Sequence, residues 1–328
     1  MPDSFPQVAV VGAGAVGCYF GGMLARAGAP VTLLRRPKAG AGEGGAASST
    51  PTAGLLHLDS IHFQESVSVQ WAAHPCAVRD AGVVLFCVKA QDTEEAARQI
   101  APHLSNSAVV VSLQNGVDNV ERIRAASQIH ALPAVVYVAA SMTAPDRVKH
   151  AGRGDLVVGE LTVSSGNADR APRVAGLFER AGVPCVVSDN IEGALWQKLI
   201  MNCAGNPLSA IARVPYGVIA GHEPSRGTIA GVIDECVAVA RAAGVRLPEM
   251  DFYAAAMKLV SGDLSKATSS TEQDMARGKR TEINSLNGYV ARRGAELGVL
   301  TPVNSTLASL VKLLEESAGR ERNAERRS

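Results

Sequence analysis

Lys198, Asn202 and Asn206 stand four residues apart, so on a helix they share one face. Apolar Leu195, Leu199, Ile200 and Met201 flank that stripe. A solvated helix face ordinarily carries Glu, Lys or Arg. Asn is a poor helix former, because its side chain competes for backbone hydrogen bonds. Two Asn beside one Lys therefore suggest a polar wall lining a cleft, and a plain solvated face is the alternative that spacing leaves open. Such a wall suits ketone reduction, which needs a hydride from a nicotinamide, a proton donor for the developing alkoxide, and polar groups to hold a carboxylate. Lys198 is a suitable donor, because desolvation lowers an ammonium pKa toward neutrality. Asn202 and Asn206 would orient the substrate as neutral donors and acceptors. Glu282, in Arg280-Thr281-Glu282-Ile283, opens a predicted helix, and Ala267–Thr271 offers hydroxyls, Ser270 among them. Read locally, Glu282 is equally a carboxylate favoured by the helix dipole, and the hydroxyl run an ordinary N-cap cluster.

A second constellation points to the hydride source. Gly12-Ala13-Gly14-Ala15-Val16-Gly17 fits GxGxxG between a predicted strand and a predicted helix. The first Gly permits the tight turn, the second lets backbone approach a pyrophosphate, and the third packs helix on strand. The helix N-terminus then offers N–H groups to phosphate. At the end of the second strand, where NAD sites place an acid, the chain has Arg35-Arg36. Guanidinium can grip a 2′-phosphate that a carboxylate would repel, so NADP(H) is expected. Lys89 and Gln114-Asn115-Gly116 follow two further strands, where ligands of such sheets bind; a solvated Lys and a common Asn-Gly turn are the local alternatives.

The elements that must position these residues alternate at first. Gln7–Val11, Val31–Leu34, Val83–Val88 and Ala108–Leu113 read as buried strands, and the turn after the first leads into a helix to about Ala27. Short strands are expected at Leu55–Leu58, Ile61–Phe63 and Val67–Val69, and later at Val135–Met142, Arg147–Ala151, Leu156–Glu160 and Pro184–Val187. Helices are expected at Asp92–Leu104 and Arg170–Ala181. Pro37–Ala53, rich in Gly, Ala, Ser, Thr and Pro, reads as a long loop. From Asn190 only helical periods follow: Ile191–Ala204, His222–Ala243, Phe252–Ser261, Glu282–Leu297 and Pro302–Ser317, then a charged tail from Ala318 expected to fray. The fold class is α/β: an N-terminal Rossmann-type doubly wound sheet over residues 1–188 and a C-terminal all-helical domain over 189–328.

Composition narrows the remaining classes. Lys plus Arg (32) nearly balances Asp plus Glu (31), which leaves no electrostatic footprint for nucleic acid or an acidic membrane. No apolar run approaches the roughly 18 residues of a spanning helix, and the first residues do not read as an export signal. The six Cys form no CxxC pair and no zinc-ligand spacing, so they read as reduced core residues in a cytoplasmic protein, with no metal expected. A homodimer is compatible with these features.

These residues together resemble the ketopantoate reductase family over nearly the full length. The match lies in Val8–Gly17, Val88-Lys89-Ala90, Gln114-Asn115-Gly116, Trp196–Leu208 with its Lys-x₃-Asn-x₃-Asn-Pro-Leu run, and Ser269-Ser270 with Gln273-Asp274 and Thr281-Glu282-Ile283. The resemblance implies NADPH-dependent reduction of 2-dehydropantoate to D-pantoate, a step toward pantothenate and coenzyme A, with the active site between the two domains. It implies Lys198 as the catalytic acid and Glu282 beside the reacting centre. Asn115, Asn202, Asn206 and Ser270 would bind substrate, while Gly12, Ala13, Gly14, Ala15, Val16, Gly17, Arg35, Lys89 and Asn115 would serve the cofactor. Two features depart from the family pattern: the small-residue run 37–53, where a charged helical segment is usual, and Tyr216, where some members carry a substrate-binding Asn. Family members also reduce other branched or aromatic 2-keto acids, so a reductase of a different keto acid is the first alternative. A non-catalytic NADP-binding regulator is the second, and an imine or 6-phosphogluconate-type dehydrogenase the third.

Overall fold

The computed structural model describes residues 4–35, 49–161, 169–262 and 264–325. Arg36 and positions 37–48 of the expected loop lie outside them. The chain divides into two compact units, Met1–Gln114 with Asp118–Ile191, and Asn115–Val117 with Glu192–Ser328. The helical unit thus includes Asn115–Val117, a short piece of the stretch expected in the first domain.

In the first unit the chain runs β1 (Val8–Val11), α1 (Ala15–Arg26), β2 (Val31–Leu34), β3 (Thr52–Ser60), β4 (Gln64–Ala72), β5 (Val83–Phe86), α2 (Thr93–Ile100), β6 (Val109–Ser112), α3 (Asn119–Ser127), β7 (Leu132–Ala144), β8 (Arg147–Val158), α4 (Arg170–Arg180) and β9 (Cys185–Val187). Its sheet has the order β3-β4-β2-β1-β5-β6-β7-β8-β9. The short central strands are β-branched and lie parallel, buried on both faces, as crossover-connected sheets require. Along β1, Val8 and Val10 join one core with Leu33, Leu85, Phe20 and Phe178, while Ala9 and Val11 join another with Phe86, Ala97, Ile100 and Ile123. Helices α1 and α4 therefore cover one face, and α2 and α3 the other, which is the doubly wound arrangement.

An additional pairing of β3 with β8, from His57↔Arg147 to Ser60↔His150, joins strands at the two ends of this order. The sheet then wraps around α1, whose residues Gly17–Leu24 are all buried. A helix enclosed in this way must be largely apolar around its whole circumference, with small residues where strands come close. Gly22 shows the fit, since a methyl there would come within 2.5 Å of Leu58 Cδ2.

Several local expectations are corrected. Ile61–Phe63 is not a strand but the turn of the β3–β4 hairpin, closed by Ser60 N–H donating to Phe63 O at 2.8 Å. The hairpin also starts earlier than expected, so Thr52 and Ala53 belong to β3 rather than to the loop. Arg147–Ala151 and Leu156–Val158, short of the expected Gly159 and Glu160, are one strand, β8. The Gly152-Arg153-Gly154 run between them is an irregularity in the β7–β8 ladder, with positive φ at all three residues, rather than a break. The helix expected over Asp92–Leu104 is shorter, because Ala90–Asp92 and Ala101–His103 are 3-10 turns.

The second unit is all helical: α5 (Ile191–Ala212), α6 (Tyr216–Gly221), α7 (Glu223–Ala242), α8 (Phe252–Ser261), α9 (Ser270–Ala276), α10 (Asn287–Leu297) and α11 (Pro302–Glu325). Leu199, Ile200, Cys203, Val232, Cys236, Val239 and Val290 form its core. The tail from Ala318, expected to fray, continues α11 as far as Glu325. The helix expected to begin at Glu282 begins at Asn287. Ile283–Ser285 is a 3-10 turn, and Leu286, at φ −110° and ψ −112°, breaks the run.

α5 contains Pro207. Proline has no N–H, so the carbonyl four residues earlier, that of Cys203, loses its helical donor. The Asn287 amide supplies one instead, at 3.1 Å, and also donates to Asn304 Oδ1 at 3.0 Å. Asn304 in turn donates to Val232 O and to Glu235, whose carboxylate also accepts the N–H groups of Val303 and Asn304 in the first turn of α11. One buried polar network thereby ties α5, α7, α10 and α11 together. Among the described residues no helix is long and apolar enough to cross a membrane.

Candidate active site

In the first unit, parallel strands β2, β1 and β5 lie side by side, so the residues that follow them share one edge of the sheet: Arg35, the Gly12–Gly17 turn, and Lys89. The turn explains its own glycines. Gly12 has φ +103°, and a methyl there would come 2.7 Å from the Val88 nitrogen. At Gly17 a methyl would lie 2.3 Å from Gly12 O, so only Gly lets α1 pack this closely on β1. At Gly14, by contrast, there is open space within 4 Å of the missing Cβ. Gly14 is the N-cap of α1, which begins with Ala15, Val16 and Gly17. Among the described residues no side chain caps this helix, and its first turn holds no acid, so its first N–H groups suit an anion.

Arg35 sits just beyond β2, with its N–H bonded to Ala72 O at 2.9 Å. Its guanidinium carbon lies 3.2 Å from the ring centre of Trp71. Among the described residues the buried Nε has no hydrogen-bond acceptor. Burial pulls the Arg35 pKa below its usual value, opposed by the electrostatic influence of Cys18 and Asp146. Lys89 follows β5 at the start of a 3-10 turn. A dinucleotide fits these residues. The open ground at Gly14 and the uncapped helix suit its pyrophosphate, and the Arg35 guanidinium suits a further phosphate. Gln114, next to the predicted Asn115, is structural: it is buried, donates to Val88 O and Thr93 Oγ1, and accepts from Ser112.

In the second unit α5 does persist past Asn206, and the polar stripe is not a solvated face. Lys198 and Asn202 are half-buried and Asn206 is buried. Lys198 Nζ donates to Asn115 Oδ1 at 2.9 Å, and Asn115 Nδ2 donates to Glu282 Oε2 at 3.1 Å. Asn115 therefore bridges a cation and a carboxylate that are 84 residues apart in sequence, with both ends of its amide assigned by charge. Gly116, at φ +103°, turns the backbone immediately after it. Glu282 is 8% exposed and precedes the 3-10 turn Ile283–Ser285, so its burial, and not the dipole of a long helix, is what distinguishes it.

Asn206 is held on two sides. Tyr216 donates its hydroxyl to Asn206 Oδ1 at 2.7 Å, and Ser269 Oγ donates to Asn206 O at 3.0 Å. Gly205 makes room, since a methyl there would lie 2.8 Å from the Tyr216 ring. Burial pushes the Tyr216 phenol well above its ordinary pKa, so it remains a donor. Ser269 is the N-cap of α9, accepting from Glu272 N–H at 3.0 Å, and Ser270 beside it is exposed. The capping alternative thus holds for Ser269. Residue types alone did not single out Trp71, or Tyr216 as a partner of Asn206. An aromatic shortly after a valine reads as ordinary core, and both contacts cross between elements.

Comparison with known proteins gives the family. Residues 8–162 match the family model "Ketopantoate reductase PanE/ApbA", and residues 190–315 match "Ketopantoate reductase PanE/ApbA C terminal". The 2-dehydropantoate 2-reductase of Halobacterium salinarum is 31% identical over 94% of this chain and 99% of its own. That of Archaeoglobus fulgidus is 32% identical over 94% of this chain and 98% of its own. The crystal structure of a PanE/ApbA family ketopantoate reductase from Ralstonia eutropha JMP134 superposes with a TM-score of 0.84 at 46% identity, over 95% of this chain and 99% of that one. The family is one of oxidoreductases acting on CH–OH groups with a nicotinamide cofactor. With both of its family models matched in order around the residues just described, the chain belongs to the ketopantoate reductase family.

Proposed function

We propose that the protein reduces 2-dehydropantoate to D-pantoate with NADPH, and that Lys198 protonates the reduced oxygen. The observation that carries this is the Lys198–Asn115–Glu282 chain of hydrogen bonds. Bound NADPH supplies the hydride. Lys198 donates a proton from Nζ to the oxygen of the former keto group as negative charge develops on it. Asn115 Oδ1 fixes the direction of the ammonium, and Glu282 holds the other end of that amide, so Lys198 is oriented before substrate arrives. Asn202 and Asn206 on the same helix, with Ser270, supply neutral donors for the carboxylate end. Arg35, Lys89, the Gly12–Gly17 turn and Asn115 serve the dinucleotide. The test is steady-state oxidation of NADPH by 2-dehydropantoate. Turnover is expected, and a folded protein that binds NADPH yet reduces no 2-keto acid would be a binding protein instead.

A second reading draws on Tyr216. Its hydroxyl occupies one lone pair of Asn206 Oδ1, so the amide nitrogen is the freer end of Asn206 for a ligand. A site that offers chiefly a donor at this point suits a branched or aromatic 2-keto acid without a further hydroxyl to donate. Comparing kcat/KM over a small panel of 2-keto acids separates the two readings, since a preference for one lacking the hydroxyl selects the second.

A further inference from the structure

Trp71 is the last residue but one of β4, paired with Leu33 of β2, and so lies beside the point where β2 ends and Arg35 begins. Its indole is laid across Gly54 of β3. A methyl on Gly54 would come within 2.7 Å of Trp71 Cδ1 and 2.8 Å of Nε1, so a residue with a side chain would push the ring away. Thr52 Oγ1 donates to Trp71 O at 3.4 Å, a long contact on the same side of the hairpin. The Arg35 guanidinium lies over the ring at 3.2 Å, and its Nε is buried without an acceptor among the described residues. A guanidinium in this position gives up part of its hydration and gains the attraction of the aromatic face. It also loses rotamer freedom before any ligand binds.

We propose that Trp71 is a positioning residue for cofactor selectivity: its indole, seated on Gly54, holds the Arg35 guanidinium where it takes the 2′-phosphate of NADP(H). The proposal rests on the assignment of Arg35 to that phosphate. The Arg35–Trp71 stack keeps the planar fork in a single orientation, which matters because guanidinium recognises phosphate through paired N–H donors. Without the indole the charge remains but the fork is free to swing into water. NADP(H) then loses a preorganised partner, while NAD(H), which has no phosphate at this point, loses little.

The test is calorimetric titration of the full-length protein with NADP⁺ and with NAD⁺, for wild type, Arg35→Ala, Trp71→Leu, Trp71→Phe and Gly54→Ala, with folding checked by circular dichroism. Trp71→Leu is expected to weaken NADP⁺ binding roughly tenfold. NAD⁺ binding should change by much less. Trp71→Phe, which keeps an aromatic face, should recover most of the loss. Gly54→Ala, which displaces the ring without removing it, should weaken NADP⁺ in the same selective way and serves if Trp71→Leu does not fold. In turnover, Trp71→Leu should raise the KM for NADPH more than it lowers kcat. If Trp71→Leu, or in its place Gly54→Ala, weakens both dinucleotides equally or neither, Trp71 has no part in selectivity. If Arg35→Ala itself fails to discriminate between them, it is the assignment of Arg35 that falls.

Discussion

Asn115 is the residue on which the proposed chemistry turns. Lys198 is a flexible side chain, and without an acceptor for Nζ its ammonium would sample many rotamers in water. The amide of Asn115 provides that acceptor and is itself held by Glu282. Lys198→Ala should therefore lower kcat by roughly 10²–10⁴-fold, as expected for loss of a general acid, and near-normal turnover would remove Lys198 from the role. Tyr216→Phe tests the other end of the stripe. It deletes the donor to Asn206 Oδ1 and leaves a buried oxygen unsatisfied, at a cost of about 1–3 kcal/mol in stability. Denaturant unfolding should show that loss together with a raised KM for the keto acid. An unchanged midpoint would mean that water replaces the phenol. At this scale the sequence was informative where chemistry narrows the choice of residue. Lys198, Asn202 and Asn206 were legible as one partly buried helix face, and Gly12–Gly17 as a strand-to-helix turn, from type and spacing. Glu282 and Asn115 were visible only as local ambiguities, since what distinguishes them is a contact across 167 residues. Ser269 and Ser270 could not be told apart by type: one caps a buried helix end and the other is exposed.

Helices and strands carry these residues by close fits that few substitutions survive. Gly17→Ala would place a methyl 2.3 Å from Gly12 O and 2.7 Å from Val10 Cγ1, so α1 must retreat from β1. Calorimetry should show dinucleotide binding weakened at least tenfold, and unaltered binding would mean that α1 is less tightly seated than its burial suggests. In the helical unit, Asn287→Leu would strand Cys203 O in the core and leave Asn304 Oδ1 with only the weak Cys236 thiol donor, costing about 1–3 kcal/mol in chemical denaturation. A change under about 0.5 kcal/mol would contradict the account of Pro207 and its missing N–H. The periodicity of the short parallel strands is plain in the sequence because both of their faces are buried. It failed at Ile61–Phe63, where an apolar turn imitates a strand, and at Gly152-Arg153-Gly154, where an irregular ladder imitates a break. The wrapping of the sheet around α1 had no local signal, because the β3–β8 pairing joins residues about 90 positions apart.

Acid should weaken a pairing between two helices of the α/β unit. In the α/β unit, Arg122 of α3 grips Glu94 of α2 through two hydrogen bonds, at 2.7 and 2.9 Å, and also donates to Ala90 O. The hydrogen bond from Arg122 holds the Glu94 carboxyl below the usual carboxylate range. A depressed folded-state pKa means that this stabilisation is present at neutral pH and is lost as pH falls through the carboxylate range. Because Glu94 is more than a third exposed, the gain is under about 1 kcal/mol. Glu94→Gln should accordingly lower Tm slightly at pH 7, and the gap to wild type should close in acid. A gap that widens there would reverse the assignment. Across the whole chain, the two-part plan was readable because strands cease after Val187 and only helical periods follow. The membership of Asn115–Val117 in the helical unit was not, because it depends on the contacts of Asn115 rather than on its place in the chain. The central claim is that this chain is an NADPH-dependent 2-keto acid reductase working through Lys198. The most direct measurement is the rate of NADPH oxidation with 2-dehydropantoate, for wild type and Lys198→Ala, with NADH run in parallel. The expected result is fast turnover by wild type with NADPH, much slower turnover with NADH, and near-complete loss in the variant. Equal rates for the two proteins, or no keto acid turned over by a folded, NADPH-binding wild type, would contradict it.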